Sequence, residues 1–236
     1  MSASAGSQSA APSPDSRLPK ASTQDSIPAS RSAPEAVDCA RLIYLHGFRS
    51  SPQSFKAQML ARAMADAGRS GDFVCPQLPA SPAAAIELIL DTVRPTERDV
   101  IVGSSLGGYY ARYIAEQCGS RTVLLNPSVQ PAQSLARHLG RGTMFHSDQP
   151  FEFLAAHLDE LKRFEVQHVS RPKRSLLIAA TGDELLDWRD MVDAWPGAQT
   201  RVIEGSDHAL SDFATHIGLV LSFAGIAMPS TPPAIR

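Results

Sequence analysis

Six short apolar runs mark the middle of the chain: Leu42-Ile43-Tyr44-Leu45, Phe73-Val74-Cys75, Val100-Ile101-Val102, Thr122-Val123-Leu124-Leu125, Leu176-Leu177-Ile178-Ala179-Ala180 and Arg201-Val202-Ile203. Several are continuously apolar rather than alternating, the pattern of strands covered on both faces. Between them the apolar positions switch to helical spacing, at Phe55, Met59 and Ala63, at Ile86, Leu90 and Val93, at Tyr110, Tyr113 and Ile114, and at Phe213, Ile217, Val220 and Leu221. Strand alternating with helix predicts right-handed crossovers and a mainly parallel sheet, an α/β architecture of about six strands. One stretch departs from the alternation. From about Ser128 to Arg171 no good strand stands out, and Leu154, Leu158, Leu161 and Phe164 mark an amphipathic helix. An insertion of that size is expected to lie as a helical lid over the C-terminal edge of the sheet.

The ends read differently. Residues 1–38 are rich in Ser, Ala and Pro without apolar periodicity, which predicts a disordered tail. They lack the apolar core of a secretory signal, and Asp15, Asp25 and Glu35 argue against an organelle transit peptide. Residues 228–236, with Pro229, Pro232 and Pro233, form a second expected tail. The most apolar run, Ile217 to Met228, is too short to span a bilayer and fits a buried helix. One α/β domain over residues 39–227 is therefore expected.

Composition narrows the function classes. The chain has 236 residues, 43% hydrophobic and 19% charged, in keeping with a packed core. Its 22 basic and 24 acidic residues leave a formal charge of -2, so no strong field for nucleic acid or anionic membrane arises. Cys39, Cys75 and Cys118 are dispersed and odd in number, which gives neither a disulfide framework nor a metal knuckle. Reduced thiols in the cytoplasm are the expectation.

The most informative segment is Asp99-Val100-Ile101-Val102-Gly103-Ser104-Ser105-Leu106-Gly107-Gly108. It reads as strand, then Gly-x-Ser-x-Gly, then helix, the context of a nucleophile elbow. Small residues at Gly103 and Gly107 suit the sharp turn, and Ser105 would stand at the N-terminus of a helix, where N–H groups favour negative charge. The plain alternative is a Ser/Gly-rich strand-to-helix turn, including one that binds phosphate. No Gly-Lys-Ser/Thr follows, however, and the glycine spacing does not fit a dinucleotide loop.

A serine hydroxyl needs a base, and the base needs an orienting carboxylate. In this architecture they should follow in the order Ser, acid, His, each after a late strand. The run ending at Ala180 leads into Thr181-Gly182-Asp183-Glu184, and the run ending at Ile203 leads into Glu204-Gly205-Ser206-Asp207-His208. Asp183 and His208 fill the two slots. Glu184, Asp187 and Asp207 compete for the acid, and an Asp in a Thr-Gly-Asp turn is often only a turn former or helix cap. Of the other histidines, His146, His157 and His168 read as surface residues and His216 as the polar side of the last helix. For the oxyanion, the candidate donors are the Leu106 N–H after the nucleophile and the Phe48 N–H in Leu45-His46-Gly47-Phe48. His46-Gly47 would equally well just end the strand.

With these residues in view, the chain resembles the YqiA-type esterase family of small α/β-hydrolases. The similarity lies in Ile43-Tyr44-Leu45-His46-Gly47-Phe48-Arg49-Ser50-Ser51-Pro52-Gln53-Ser54 with Lys56-Ala57, and in Pro76-Gln77-Leu78-Pro79. It continues in Gly103 to Ala111, Leu125-Asn126-Pro127, Thr181 to Asp187 and Glu204 to His208. The resemblance implies a three-layer α/β-hydrolase fold lacking the two leading antiparallel strands of larger relatives. It also implies hydrolysis of acyl esters or thioesters by Ser105, Asp183 and His208. The family often has Gly-Gly before Asp-His and an aromatic soon after, where this chain has Ser206 and Ala209-Leu210. Asn126 and Pro127 read as loop-holding turn residues, Ser50 or Ser51 as support for the oxyanion loop.

The expected activity is a serine esterase working through an acyl-enzyme without metal or organic cofactor, on a small-molecule acyl ester. Pocket walls are expected from Phe48, Tyr109, Met144, Phe145 and Phe151, whose apolar character suits an acyl chain or aromatic ester. Other readings stay open: a catalytically silent binding protein of the same fold, or a lactonase, peptidase or carbon–carbon hydrolase.

Overall fold

The computed structural model describes residues 39–145 and 147–227. The two expected tails and His146 lie outside the described residues. Eight strands form there: β1 (Leu42–Leu45), β2 (Phe73–Val74), β3 (Val100–Ser104), β4 (Arg121–Leu125), β5 (Gly140–Thr143), β6 (Pro150–Phe153), β7 (Ser175–Ala180) and β8 (Gln199–Ile203). Six make one sheet in the order β2-β1-β3-β4-β7-β8, every pairing parallel. The helices are α1 (Phe55–Asp66), α2 (Pro82–Glu87), α3 (Leu106–Cys118), α4 (Pro131–Ser134), α5 (Ala155–Arg163), α6 (Trp188–Ala194) and α7 (Ile217–Ala224).

Continuously apolar strands are explained by burial on both faces. Leu42, Tyr44, Val100, Val102, Val123, Leu125, Leu176 and Ile178 point into one core with α1 and α7. Their neighbours Ile43, Leu45, Ile101, Leu124, Leu177 and Ala179 point into a second core with α2, α3 and α6. This period-two alternation across a three-layer stack is what fully covered parallel strands require. The chain steps from β1 outward to β2, then returns past β1 to β3 and proceeds to β8. The reversal lies between β1 and β3, so a crevice opens at their C-terminal ends, where ligands bind in open α/β sheets.

Two expectations are corrected. The insertion between β4 and β7 holds not only the predicted helix, α5, but also the antiparallel hairpin β5-β6. Gly140-Arg141-Gly142-Thr143 is exposed throughout, and of its four residues Thr143 alone favours a strand. The hairpin is anchored through its second strand, where Phe151 and Phe153 turn inward while Pro150 and Glu152 face out. The first helix also buries a different stripe. Lys56, Ala57, Leu60, Ala63 and Met64 face inward, whereas Phe55 is 40% exposed. Among the described residues, no helix is long and apolar enough to cross a membrane.

Candidate active site

The turn from β3 into α3 holds Ser105 at φ 54°, ψ -120°, a conformation costly for any residue with a side chain. The flanking glycines are demanded by contact. A Cβ on Gly103 would lie 2.3 Å from the Gly107 carbonyl oxygen, and one on Gly107 would lie 2.0 Å from the Leu45 carbonyl oxygen. The spacing Gly-x-Ser-x-Gly thus reflects how closely α3 and β1 crowd the turn.

The structure brings three of the expected residues into one hydrogen-bonded row. His208 Nε2 lies 3.0 Å from Ser105 Oγ, and His208 Nδ1 lies 2.7 Å from Asp183 Oδ2. A carboxylate only accepts, so Nδ1 carries the proton and Nε2 is left as acceptor for the serine hydroxyl. The Asp183 side chain is fully buried and that of His208 is 16% exposed. Its other oxygen, Oδ1, accepts from the N–H groups of Leu185 at 2.9 Å and Leu186 at 2.8 Å. Asp183 is therefore held on both oxygens.

The competing acids have other partners. Glu184 Oε2 accepts from the His208 backbone N–H at 2.9 Å. Asp187 caps α6 by accepting from the Arg189 N–H at 2.9 Å. Asp207 accepts from the Ser211 N–H and hydroxyl, which hold its carboxyl below the usual range. None of the three reaches the His208 ring.

The loop that carries His208 is clamped from several elements. Asn126, fully buried at φ 41° after β4, donates from Nδ2 to the carbonyls of Asp207 at 3.0 Å and His208 at 3.2 Å. Its Oδ1 accepts from the Ala180 N–H at 2.8 Å. One amide thus ties β4, β7 and the histidine loop together, which bears out the loop-holding reading of Asn126. Ser206 and Leu210 also take positive φ, 57° and 51°. The Ser206 hydroxyl, standing where the resembled family often has glycine, bonds to Asp212 Oδ1 at 2.5 Å.

Sequence reasoning gave Lys56 no role. Its side chain is buried, and Nζ donates to the carbonyl of Ala209, the residue after His208. Burial lowers its pKa from 10.5 to about 8, against the opposing pull of Asp207 and Asp183. Only the short Lys56-Ala57 match hinted that this lysine mattered.

The expected oxyanion donors are Leu106, directly after Ser105, and Phe48, in the loop after β1, and both border the same cavity as Ser105. Among the described residues, no hydrogen bond uses the N–H of Phe48 or Leu106. His46, 3% exposed, braces this loop: Nε2 accepts from the Leu78 N–H at 3.1 Å, and Nδ1 lies 3.0 Å from the Gly47 carbonyl. The hairpin reinforces it, with Phe145 N–H on the Arg49 carbonyl at 2.8 Å and Arg49 Nε on the Thr143 carbonyl at 2.6 Å.

A cavity of about 450 Å³ opens beside Ser105 and His208. Phe48, Phe55, Leu135, Phe145 and Leu185 give it apolar walls, so the insertion does contribute to its cover. Three expected wall residues lie elsewhere. Tyr109 turns into the core and donates to the Leu161 carbonyl at 2.5 Å. Phe151 packs edge-on behind Phe48 at 5.1 Å between ring centroids, and it borders a separate small pocket with Met144. Phe151 supports the Phe48 wall from behind, because the inserted hairpin turns it toward the core, whereas Tyr109 is turned inward by its place on α3. His157, expected at the surface, is buried and accepts from the Leu154 N–H at 3.2 Å, closing the first turn of α5. His168 is exposed as expected.

Residues 41–225 match the family described as "Uncharacterised protein family (UPF0227)". UPF0227 proteins of Yersinia pseudotuberculosis and Yersinia pestis are 25% identical over 128 residues, 54% of this chain and 65% of theirs. The chain thus spans slightly under two thirds of the length of these curated relatives. Among solved structures, a protein of Agrobacterium vitis S4 classed as a hydrolase superposes with a TM-score of 0.60 at 18% identity, over 79% of this chain and 90% of that one. Mouse alpha/beta hydrolase domain-containing protein 10 gives 0.55 at 17%, over 76% and 88%. The esterase domain of a Rhodothermus marinus protein gives 0.53 at 18%, over 80% and 88%. At these identities the likeness establishes the α/β-hydrolase fold.

Proposed function

The chain belongs to UPF0227, the YqiA family of the sequence resemblance, and from that premise we propose that it is a serine esterase acting on carboxylic esters or thioesters. The observation that carries the reading is the row Ser105 Oγ, His208 and Asp183, at 3.0 and 2.7 Å. In the proposed cycle the His208 imidazole accepts the Ser105 proton as the hydroxyl oxygen attacks the acyl carbon. Asp183 holds the ring in the required tautomer and offsets the charge of the imidazolium. The tetrahedral oxyanion is received by the Phe48 and Leu106 N–H groups, which no hydrogen bond of the described protein uses. Collapse expels the alcohol or thiol with the proton returned by His208. Water, deprotonated by the same imidazole, then releases the acid and restores Ser105.

The mostly apolar cavity, about 450 Å³, supports an uncharged acyl or aryl group of modest size. The Rhodothermus marinus neighbour, an esterase domain, supports the same reading. The test is fluorophosphonate labelling and turnover of a panel of p-nitrophenyl esters and acyl thioesters by the purified protein. Ser105→Ala should abolish both labelling and turnover. Ester hydrolysis that survives Ser105→Ala refutes the proposal.

A further inference from the structure

At the rim of the sheet opposite Ser105, where β4 and β7 begin, lies a small cleft of about 20 Å³ that the proposed chemistry does not use. Its walls carry three arginines, Arg112 on α3 with Arg171 and Arg174 on the segment leading into β7. The Nε atoms of Arg112 and Arg174 are both shut off from solvent, and neither has a hydrogen-bond partner. Buried donors left without an acceptor are costly and uncommon. Two of them on one cleft is a pattern that needs a reason.

The neighbours leave these donors open. Arg112 lies with its Cζ 4.7 Å from the Trp195 ring centroid, a stacking contact that uses the face of the guanidinium and not its edge. Arg174 donates through Nη2 to the Glu97 carbonyl at 2.9 Å, while its Nε is left without an acceptor. The one carboxylate on the wall, Glu116, is taken by Ser170, whose N–H and hydroxyl approach at 3.1 and 2.5 Å. Glu116 still acts on Arg112 through space, yet burial outweighs it and draws the guanidinium pKa down. Thr122 Oγ1 donates to Ser175 Oγ at 2.9 Å, which leaves the Ser175 proton able to turn into the cleft.

We propose that this cleft binds a tetrahedral oxyanion, inorganic phosphate or the phosphate of a phosphomonoester, with Arg112 and Arg174 turning their sealed Nε groups toward it and Arg171 at the mouth. The paired N–H groups of a guanidinium edge match two oxygens of such an anion. Three guanidinium groups outnumber the carboxylates that act there, Glu116 on the wall and Glu165 through space on Arg112, and favour a doubly charged phosphate over a singly charged carboxylate. The space admits only one small group. Anything esterified to the phosphate must remain outside, beyond the exposed Arg171. From Thr122 to Asn126 strand β4 spans roughly 13 Å, so the cleft is separate from the proposed esterase centre.

The experiment is calorimetric titration of the full chain with inorganic phosphate and with glycerol phosphate, against sodium chloride at matched ionic strength. Wild-type protein should bind phosphate saturably and melt at a higher temperature in its presence. Arg174→Gln and Arg171→Gln should each weaken binding by about tenfold or more. Arg171 is exposed, so its substitution tests the proposal even if changes at Arg112, stacked on Trp195, disturb folding. Comparable affinity for glycerol phosphate would identify a phosphomonoester as an admissible source of the anion; selectivity for inorganic phosphate would identify the free ion. Chloride matching the thermal shift, or undiminished affinity in both variants, would overturn the proposal. Phosphate acting as a competitor of ester substrate would overturn it too, by locating the anion at Ser105. Binding and melting are read directly and do not depend on the esterase proposal; the competition arm alone presupposes ester turnover.

Discussion

Replacing Lys56 by Met should change how stability depends on pH more than stability itself. The lysine is 6% exposed, and its pKa falls from 10.5 to about 8 on burial. At about 1.36 kcal/mol per pH unit, that gap means the buried ammonium costs about 3 kcal/mol at neutral pH. Between about pH 8 and pH 10.5 the unfolded chain binds the proton that the folded protein has released, so stability rises with pH. The contribution is complete above 10.5 and is lost as pH falls through 8. From about pH 7 to about pH 9.5 the wild-type protein should gain about 2 kcal/mol from this group. At neutral pH the variant escapes the burial cost but loses the donor to the Ala209 carbonyl, a charged hydrogen bond of about 1.5–3 kcal/mol, so the two nearly cancel. Other groups act in the opposite sense. Burial raises the Cys75 thiol to about 12 and lifts Tyr44 and Tyr110 as well. Their stabilisation is present below their unfolded pKa values and fades at alkaline pH. They are common to both proteins, so subtracting one urea-denaturation profile from the other isolates Lys56. Parallel profiles over this range would refute the reasoning.

Three further outcomes follow from the site. Asp183→Asn should lower kcat by about 10⁴-fold with little change in the thermal midpoint, because an amide no longer selects the tautomer that leaves Nε2 open to Ser105; steady-state kinetics beside a melt decides it. Asn126→Ala should cost about 3 kcal/mol or more in urea, since it strands the buried Ala180 N–H and places alanine at φ 41°. The same variant should lower kcat through the released histidine loop, and an unchanged kcat would discount the clamp. Gly107→Ala should prevent recovery of soluble, cooperatively melting protein, because its Cβ would sit 2.0 Å from the Leu45 carbonyl oxygen.

What could be read from the chain and what could not divide along the range of the interactions. All six sheet strands were legible because each is a local apolar run between turn residues. Ser105 was legible because the crowding at Gly103 and Gly107 leaves its mark within five positions. Asp183 and His208 followed from their places after successive strands, but the choice among four nearby acids rested on geometry no spacing encodes. The hairpin was missed because β5 is two glycines, an arginine and a threonine, with no pattern of its own; Phe151 and Phe153 alternate around Glu152, a signal too short to stand out. Lys56 was given no role because its partner, the Ala209 carbonyl, comes from the far end of the chain. The same holds for the pocket, whose walls depend on which way the hairpin turns its aromatic side chains.

His208 is delivered by the outermost strand of the sheet, β8, in which four of five residues are open to solvent. Outer strands with few buried contacts fray at lower free energy than the interior they flank. Heat inactivation should therefore set in while β1, β3 and β4 are still intact, and tolerance to warming should be governed by how firmly this border is fastened.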